Sequence, residues 1–214
     1  MMLQLSLSLV ALFFIVVEGF NPQLQRSRTT LEPLYGGGPI RGDTLPLLLR
    51  TIEGSEKGVL QDSKAQIIDM INMIGQQNMN FVQNDRTFLD KISGKWQLLW
   101  TTEKETLFFI NKGLFGKAVT NVYQTIDLKQ GLLNNLIEFE SDRVFSVVGT
   151  IEKDLLINSR INFKFSKAVI TVPPFPSLSL PPVGSGWFDN VYANDKYRLS
   201  RDVRGDYLVS KRVQ

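Results

Sequence analysis

From Lys95 to Val213 the apolar residues return at every second position, in short runs broken by turn residues. Trp96, Leu98 and Trp100 fall on one face of the first run, and Phe145, Val147 and Ile151 on one face of a later one. Ile161, Phe163 and Phe165 share a side, with Asn162, Lys164 and Ser166 pointing the other way. A period of two over several residues belongs to a half-buried strand. Residues 119–128, 135–141, 191–200 and 206–213 read as further strands, and Gly149 marks a bend or bulge. Turn signals stand at 129–131, Asp142-Arg143, Lys153-Asp154, Asn194-Asp195 and Arg204-Gly205. Short, regularly spaced strands with one apolar face predict a mainly β fold, an antiparallel sandwich or barrel. About eight strands is the number that closes around one small ligand.

The period before Lys95 is helical. Leu45, Leu48, Leu49 and Ile52 make one apolar side, with Asp43 or Thr44 as cap and Pro46 in the opening turn. Gly54 to Gly58 turns the chain, and Ser63 with Gln66 has the spacing of a capping box. Ile67, Ile68, Ile71 and Ile74 then continue on one face. A helical hairpin over 44–76 therefore precedes a barrel over 95–213, within one domain at 43–214. The hairpin either plugs or flanks the barrel, or docks on a membrane or partner. Pro173 to Pro182 carries too many prolines for a central strand. It is expected as a long rim loop that covers the barrel mouth, touches a membrane or simply crosses over.

Residues 1–19 read as a signal peptide. Leu9 to Val17 is uninterruptedly apolar but shorter than the ~20 residues of a membrane span, and Val17 and Gly19 suit a cleavage site. The alternative is a short hydrophobic anchor. Residues 20–42 begin at Phe20 and carry Arg26 and Arg28, hydroxyls at Ser27, Thr29 and Thr30, and no acid before Glu32. That is transit-peptide composition followed by a Gly-rich linker. A secretory signal followed by a transit stretch starting at Phe is the address used by algae with complex plastids. The rival is a secreted protein with a basic arm.

The composition excludes much chemistry. With no histidine and no cysteine, the chain lacks the commonest general base, the commonest metal ligand, thiolate nucleophiles and disulfides. No Asp-rich calcium loop or phosphate-binding Gly-Lys-Ser/Thr loop occurs, so no metal or cofactor is expected; Gly113 to Lys117 has the wrong spacing. A net charge of +3, without a Lys/Arg run, gives no basis for nucleic-acid binding. The carboxylate pairs Glu138/Glu140 and Glu103/Glu105 lie two apart on strand-like stretches, which places them on solvated faces. The chain therefore reads as a non-enzyme.

Fourteen Phe and three Trp are more rings than a barrel wall needs. An excess of inward rings makes a cavity for a polyprenyl, polyene or acyl chain, worth about 25 cal/mol per Å² of apolar ligand area buried. The expected lining is Trp96, Trp100, Phe145, Phe163 and Phe165, with Trp187 beyond the Pro-rich stretch. Tyr192, Arg198 and Arg212 are candidates to orient a ligand at the barrel mouth. Arg212 has a structural alternative, packing across Trp96.

Gly94-x-Trp96 opens the strand region in the way lipocalin-like barrels begin. Trp96 to Glu103, Val122 to Asp127, Asn134-Asn135, Gly186-Trp187, Val191 to Arg201 and Gly205 to Val209 together resemble the plastid lipid-associated protein, or fibrillin, family over roughly residues 44–213. The sequence departs from that pattern at Arg201-Asp202, where Arg-Gly is usual, and at Trp100, where Tyr is common. The resemblance implies a lipocalin-like barrel in plastids, at thylakoids, plastoglobules or in the stroma. It implies binding or sheltering of isoprenoid quinones, carotenoids and other lipids. It also admits a structural coat on lipid droplets, or an adaptor for an enzyme of isoprenoid metabolism.

Overall fold

The computed structural model describes residues 44–84, 88–181 and 184–213. The expected signal peptide (1–19), the transit-like stretch (20–42) and Asp43 lie outside them.

Nine strands follow the helical segment: β1 Gly94–Thr101, β2 Val119–Asp127, β3 Leu132–Phe139, β4 Arg143–Lys153, β5 Arg160–Thr171, β6 Leu178–Leu180, β7 Ser185–Ala193, β8 Tyr197–Asp202 and β9 Tyr207–Arg212. Every pairing is antiparallel. β1 pairs with both β2 and β9, and β4 pairs with β5, so eight strands close on themselves and leave no free edge in the barrel. Asx-type turns set the register of several hairpins. Asp127 Oδ1 accepts from the Lys129 and Gln130 N–H at 3.0 Å each. Asn194 Oδ1 accepts from Lys196 and Tyr197, and Asp202 Oδ1 from Arg204 and Asp206.

The strand between 191 and 200 is two strands, since Asn194 turns the chain between β7 and β8. Within the Pro-rich stretch, Leu178–Leu180 adds β6 to the outer edge of β5 opposite Ala168–Ile170, a place where proline costs no ladder bond. Gly149 sits at the expected irregularity, where the β4–β5 register shifts. A Cβ there would stand 2.5 Å from the Lys164 carbonyl oxygen.

Two separate cores result. The inner one fills the barrel. The outer one lies between the wall and two helices, α1 Thr44–Glu53 and α2 Lys64–Asn84. Leu48 and Ile52 of α1 and Ile67, Met70, Ile71 and Ile74 of α2 are buried there against Leu199, Tyr207 and Val209. The Tyr207 hydroxyl donates to Asn72 Oδ1 at 3.0 Å, tying β9 to α2. The helices therefore flank the barrel. Thr44 Oγ1 is buried without a partner, so it is not the cap.

Trp100 departs from the expected common face. β1 pairs Trp96 with Arg212 and Leu98 with Ser210, but then Trp100 with Val209. This bulge turns Trp100 outward, so it packs in the outer core while Trp96 and Leu98 face inward. α2 also runs past residue 76. Its end carries Val82 to the inner core beside Phe88, Leu89 and Ile92, which close that end of the barrel.

Candidate functional site: the barrel cavity

The closed end is built on Trp96, whose side chain is fully buried and whose Nε1–H donates to the Ile92 carbonyl at 2.8 Å. The Arg212 guanidinium lies 4.2 Å from the Trp96 ring centroid. It donates to the carbonyls of Ser93 (2.8 Å), Asp195 (3.1 Å) and Lys91. Gly94 makes this crossing possible. Its φ is +144°, and a Cβ there would stand 2.1 Å from Arg212 Nη1. Arg212 is thus a clasp across the barrel end.

Between this floor and the opposite end lies a cavity of about 110 Å³. Its wall includes Trp96, Leu98, Val122, Leu133, Phe145, Val147, Phe163, Phe165 and Phe188. A third helix, α3 Lys104–Lys112, covers the far end. Its Phe109 packs on Phe139 and Phe145, with centroids 5.8 and 5.0 Å apart. α3 corrects the reading of Glu103 and Glu105 as strand residues. Glu103 precedes the helix, and both line the cavity.

Polar groups occupy two levels. Near the floor Arg198, 1% exposed, stands 5.5 Å from the Trp96 centroid and 5.6 Å from that of Phe188. Its Nη1–H donates to Asn190 Oδ1 at 3.2 Å and its Nη2–H to Gln124 Oε1. Gln124 in turn donates to Asn135 Oδ1 at 2.9 Å. At the covered end Glu103 accepts from the Thr106 hydroxyl at 2.9 Å. Beside it Arg204 bridges Glu105 (2.9 Å), Asp202 (3.1 Å) and Asp206 (3.6 Å). Burial first, then the neighbouring Asp202, pushes the Glu103 carboxyl up to about 7. Burial likewise raises Asp206.

The Glu103 shift predicts a pH dependence of stability. An unfolded Glu103 ionises near 4.5, whereas the folded one holds its proton to about 7. The folded state then binds the extra proton between those values, so stability falls as pH rises through that window. Glu103→Gln removes the effect. Relative to the variant, the native protein is expected to lose up to about 3 kcal/mol between pH 4.5 and 8. Urea denaturation across that range checks it, and parallel curves for the two proteins refute it.

Of the sequence-expected residues, Trp96, Phe145, Phe163, Phe165 and Arg198 converge on the cavity. Trp100 and Tyr192 belong to the outer core, where the Tyr192 hydroxyl accepts from Asn194 Nδ2 at 2.8 Å. Trp187 alternates with the inward Phe188. It carries the Arg160 guanidinium at 3.6 Å, which is itself held bidentately by Asp189 at 2.8 and 2.9 Å. Gln124, Asn135, Phe109, Phe188 and Glu103 also line the cavity, unforeseen from the sequence. Gln124 and Asn135 had a readable signal, each standing in phase with inward apolar neighbours, Val122 and Ile126 or Leu133 and Ile137. Among the described residues no group of acids is disposed to hold a metal ion, and no helix is long and apolar enough to cross a membrane.

The PAP_fibrillin family profile matches residues 45–211. Probable plastid-lipid-associated protein 11, chloroplastic, of Arabidopsis thaliana is 41% identical over 166 residues, covering 77% of this chain and 72% of the relative. The chromoplast-specific carotenoid-associated protein of Cucumis sativus is 25% identical over 129 residues (59% and 39%). Probable plastid-lipid-associated protein 12, chloroplastic, of Arabidopsis thaliana is 28% identical over 141 residues (60% and 34%). No solved structure matches the chain. All three relatives are chloroplastic or chromoplastic, and this protein is likewise a plastid protein. On its matched profile and its closed eight-stranded barrel, the chain belongs to the PAP_fibrillin family of plastid lipid-associated proteins.

Proposed function

We propose that the protein is a non-catalytic lipid-binding protein of the plastid that takes part of one hydrophobic molecule into the barrel. The observation that carries this reading is the ring-lined space itself. Trp96, Phe145, Phe163, Phe165 and Phe188 surround a volume that the side chains do not fill. Its size limits what enters. A dry cavity of about 150 Å³ holds one benzene, so about 110 Å³ accepts a group smaller than a ring, and a ring enters only as the wall yields. The remaining chain then runs out past Phe163 and Phe165, or the wall yields to it. The carotenoid-associated relative and the expected quinone, carotenoid and acyl ligands agree with such a guest.

Trp96 is the tryptophan in the cavity wall, so a bound quinone quenches it directly. Titration with a short-chain plastoquinone analogue is expected to quench tryptophan emission and saturate at one equivalent per chain. Linear, unsaturable quenching overturns the reading.

Exposed apolar side chains favour a second reading, a coat on a lipid surface. Leu155 and Leu156 are 98% and 95% exposed at the β4–β5 turn, and Phe175 is 62% exposed in the Pro-rich stretch. Flotation with lipid droplets, undiminished when the cavity is occupied, distinguishes the coat from the carrier.

A further inference from the structure

Arg198 is a buried cation with no carboxylate paired directly to it. Its side chain is fully buried in the cavity wall, and among the described residues no carboxylate lies within ion-pairing distance of it. Asn190 and Gln124 offer amide oxygens to Nη1 and Nη2, which are dipoles and not charges. Nε–H is buried with no acceptor. A guanidinium has five N–H donors, so most of its capacity is unspent. Burial pulls its pKa down to about 9, with Glu103 acting in the opposite sense, and it remains charged at the pH of a plastid. A buried charge and an orphaned donor each carry a free-energy penalty that a matching anion would relieve.

We propose that Arg198 is the head-group site of the cavity and that the guest is a single-chain amphiphile with a carboxylate head, bound head-first. This rests on the cavity being a ligand site. The carboxylate takes the free Nε–H and an adjacent Nη–H, a charge-assisted fork. Trp96 and Phe188 flank the head, and Phe163 and Phe165, with centroids 4.8 Å apart, receive the first part of the chain. The cavity volume of about 110 Å³ fits that head and a few carbons. A phosphate monoester suits the site less well. One guanidinium neutralises one charge, and a phosphate monoester carries about two.

The test compares oleate with oleyl alcohol, which share a chain and differ in the head, on the full chain at pH 7.5. Binding is read by calorimetry at ligand concentrations below micelle formation. Oleate is expected to bind at least tenfold more tightly than the alcohol, a difference of about 1.4 kcal/mol. Arg198→Met is expected to erase that preference, bringing the two affinities to within about twofold of each other. The native-protein comparison stands even if this variant fails to fold. Equal affinities in the native protein overturn the head-group assignment and leave the cavity reading intact. Binding of neither ligand, together with unsaturable quinone quenching, overturns the cavity reading itself. A preference for oleate that survives in a folded Arg198→Met protein overturns the role of Arg198.

Discussion

Alanine at Trp96 is expected to destabilise the protein by roughly 4 kcal/mol and to abolish saturable ligand binding. Emptying a fully buried Trp site costs about 3–5 kcal/mol through lost contacts and the cavity left behind. Two further losses act in the same direction. The Ile92 carbonyl loses its donor, and the Arg212 guanidinium loses the ring it lies on, an interaction of about 0.5–2 kcal/mol. Trp100→Ala is the internal comparison. Trp100 is equally buried, at 1% exposure, so its loss is expected to be of similar size. It lies in the outer core with the helices, so ligand affinity is expected to survive where the variant remains folded. Chemical denaturation and quinone titration of the two variants check the pair. If Trp100→Ala removes binding as fully as Trp96→Ala, the barrel interior is not the site.

That contrast marks where the sequence is legible. Alternation gave strand identity, and the turns read at 129–131, Asn194-Asp195 and Arg204-Gly205 form where Asp127, Asn194 and Asp202 each cap backbone N–H groups two to four residues on; of these three acceptors only Asn194 was itself among the turn signals. Alternation alone could not give the side faced by Trp100. One bulge between Leu98 and Trp100 reverses the count, and no residue there signals it. Trp187 failed for a related reason. Its neighbour Phe188 is the inward one, and two adjacent rings offer no period by which to choose. α3 was missed because Lys104–Lys112 is short and its apolar residues run together at 107–110, a pattern neither helical nor alternating. The end of α2 is polar on most sides, and Val82 is its contribution to the inner core. In the site, Arg198 was legible as a charge in phase with a barrel wall. That no described carboxylate pairs with it directly was not, since that depends on what eight strands bring together in space.

The second large effect is expected at Arg204, which joins the β8–β9 turn to the helix that covers the cavity. Its guanidinium meets Glu105, at the start of α3, and Asp202 and Asp206 of the turn. Its side chain is 19% exposed and theirs 16, 12 and 22%, so water screens these charges only in part. Removing one partner of such a cluster strands the others, at a cost of about 3–5 kcal/mol when fully buried; partial exposure places Arg204→Met at roughly 3 kcal/mol at pH 8. The pH dependence distinguishes this cause from lost packing. Arg204 opposes the upward shifts of Glu103 and Asp206, so without it both carboxyls titrate higher still. The folded variant then takes up protons as pH falls, and its deficit relative to the native protein is expected to shrink from pH 8 towards pH 5. A deficit independent of pH refutes the electrostatic account. Adding Glu103→Gln removes one of the stranded acids, so the double variant is expected to lose less than the sum of the separate effects, as groups in one network do. The consequence reaches the cavity. Glu105 anchors the first turn of α3, and Phe109 of α3 packs over Phe145 in the cavity wall. Freed from Arg204, α3 is expected to lift more often, so ligand enters and leaves Arg204→Met faster at either pH, measurable by stopped-flow quenching of Trp96.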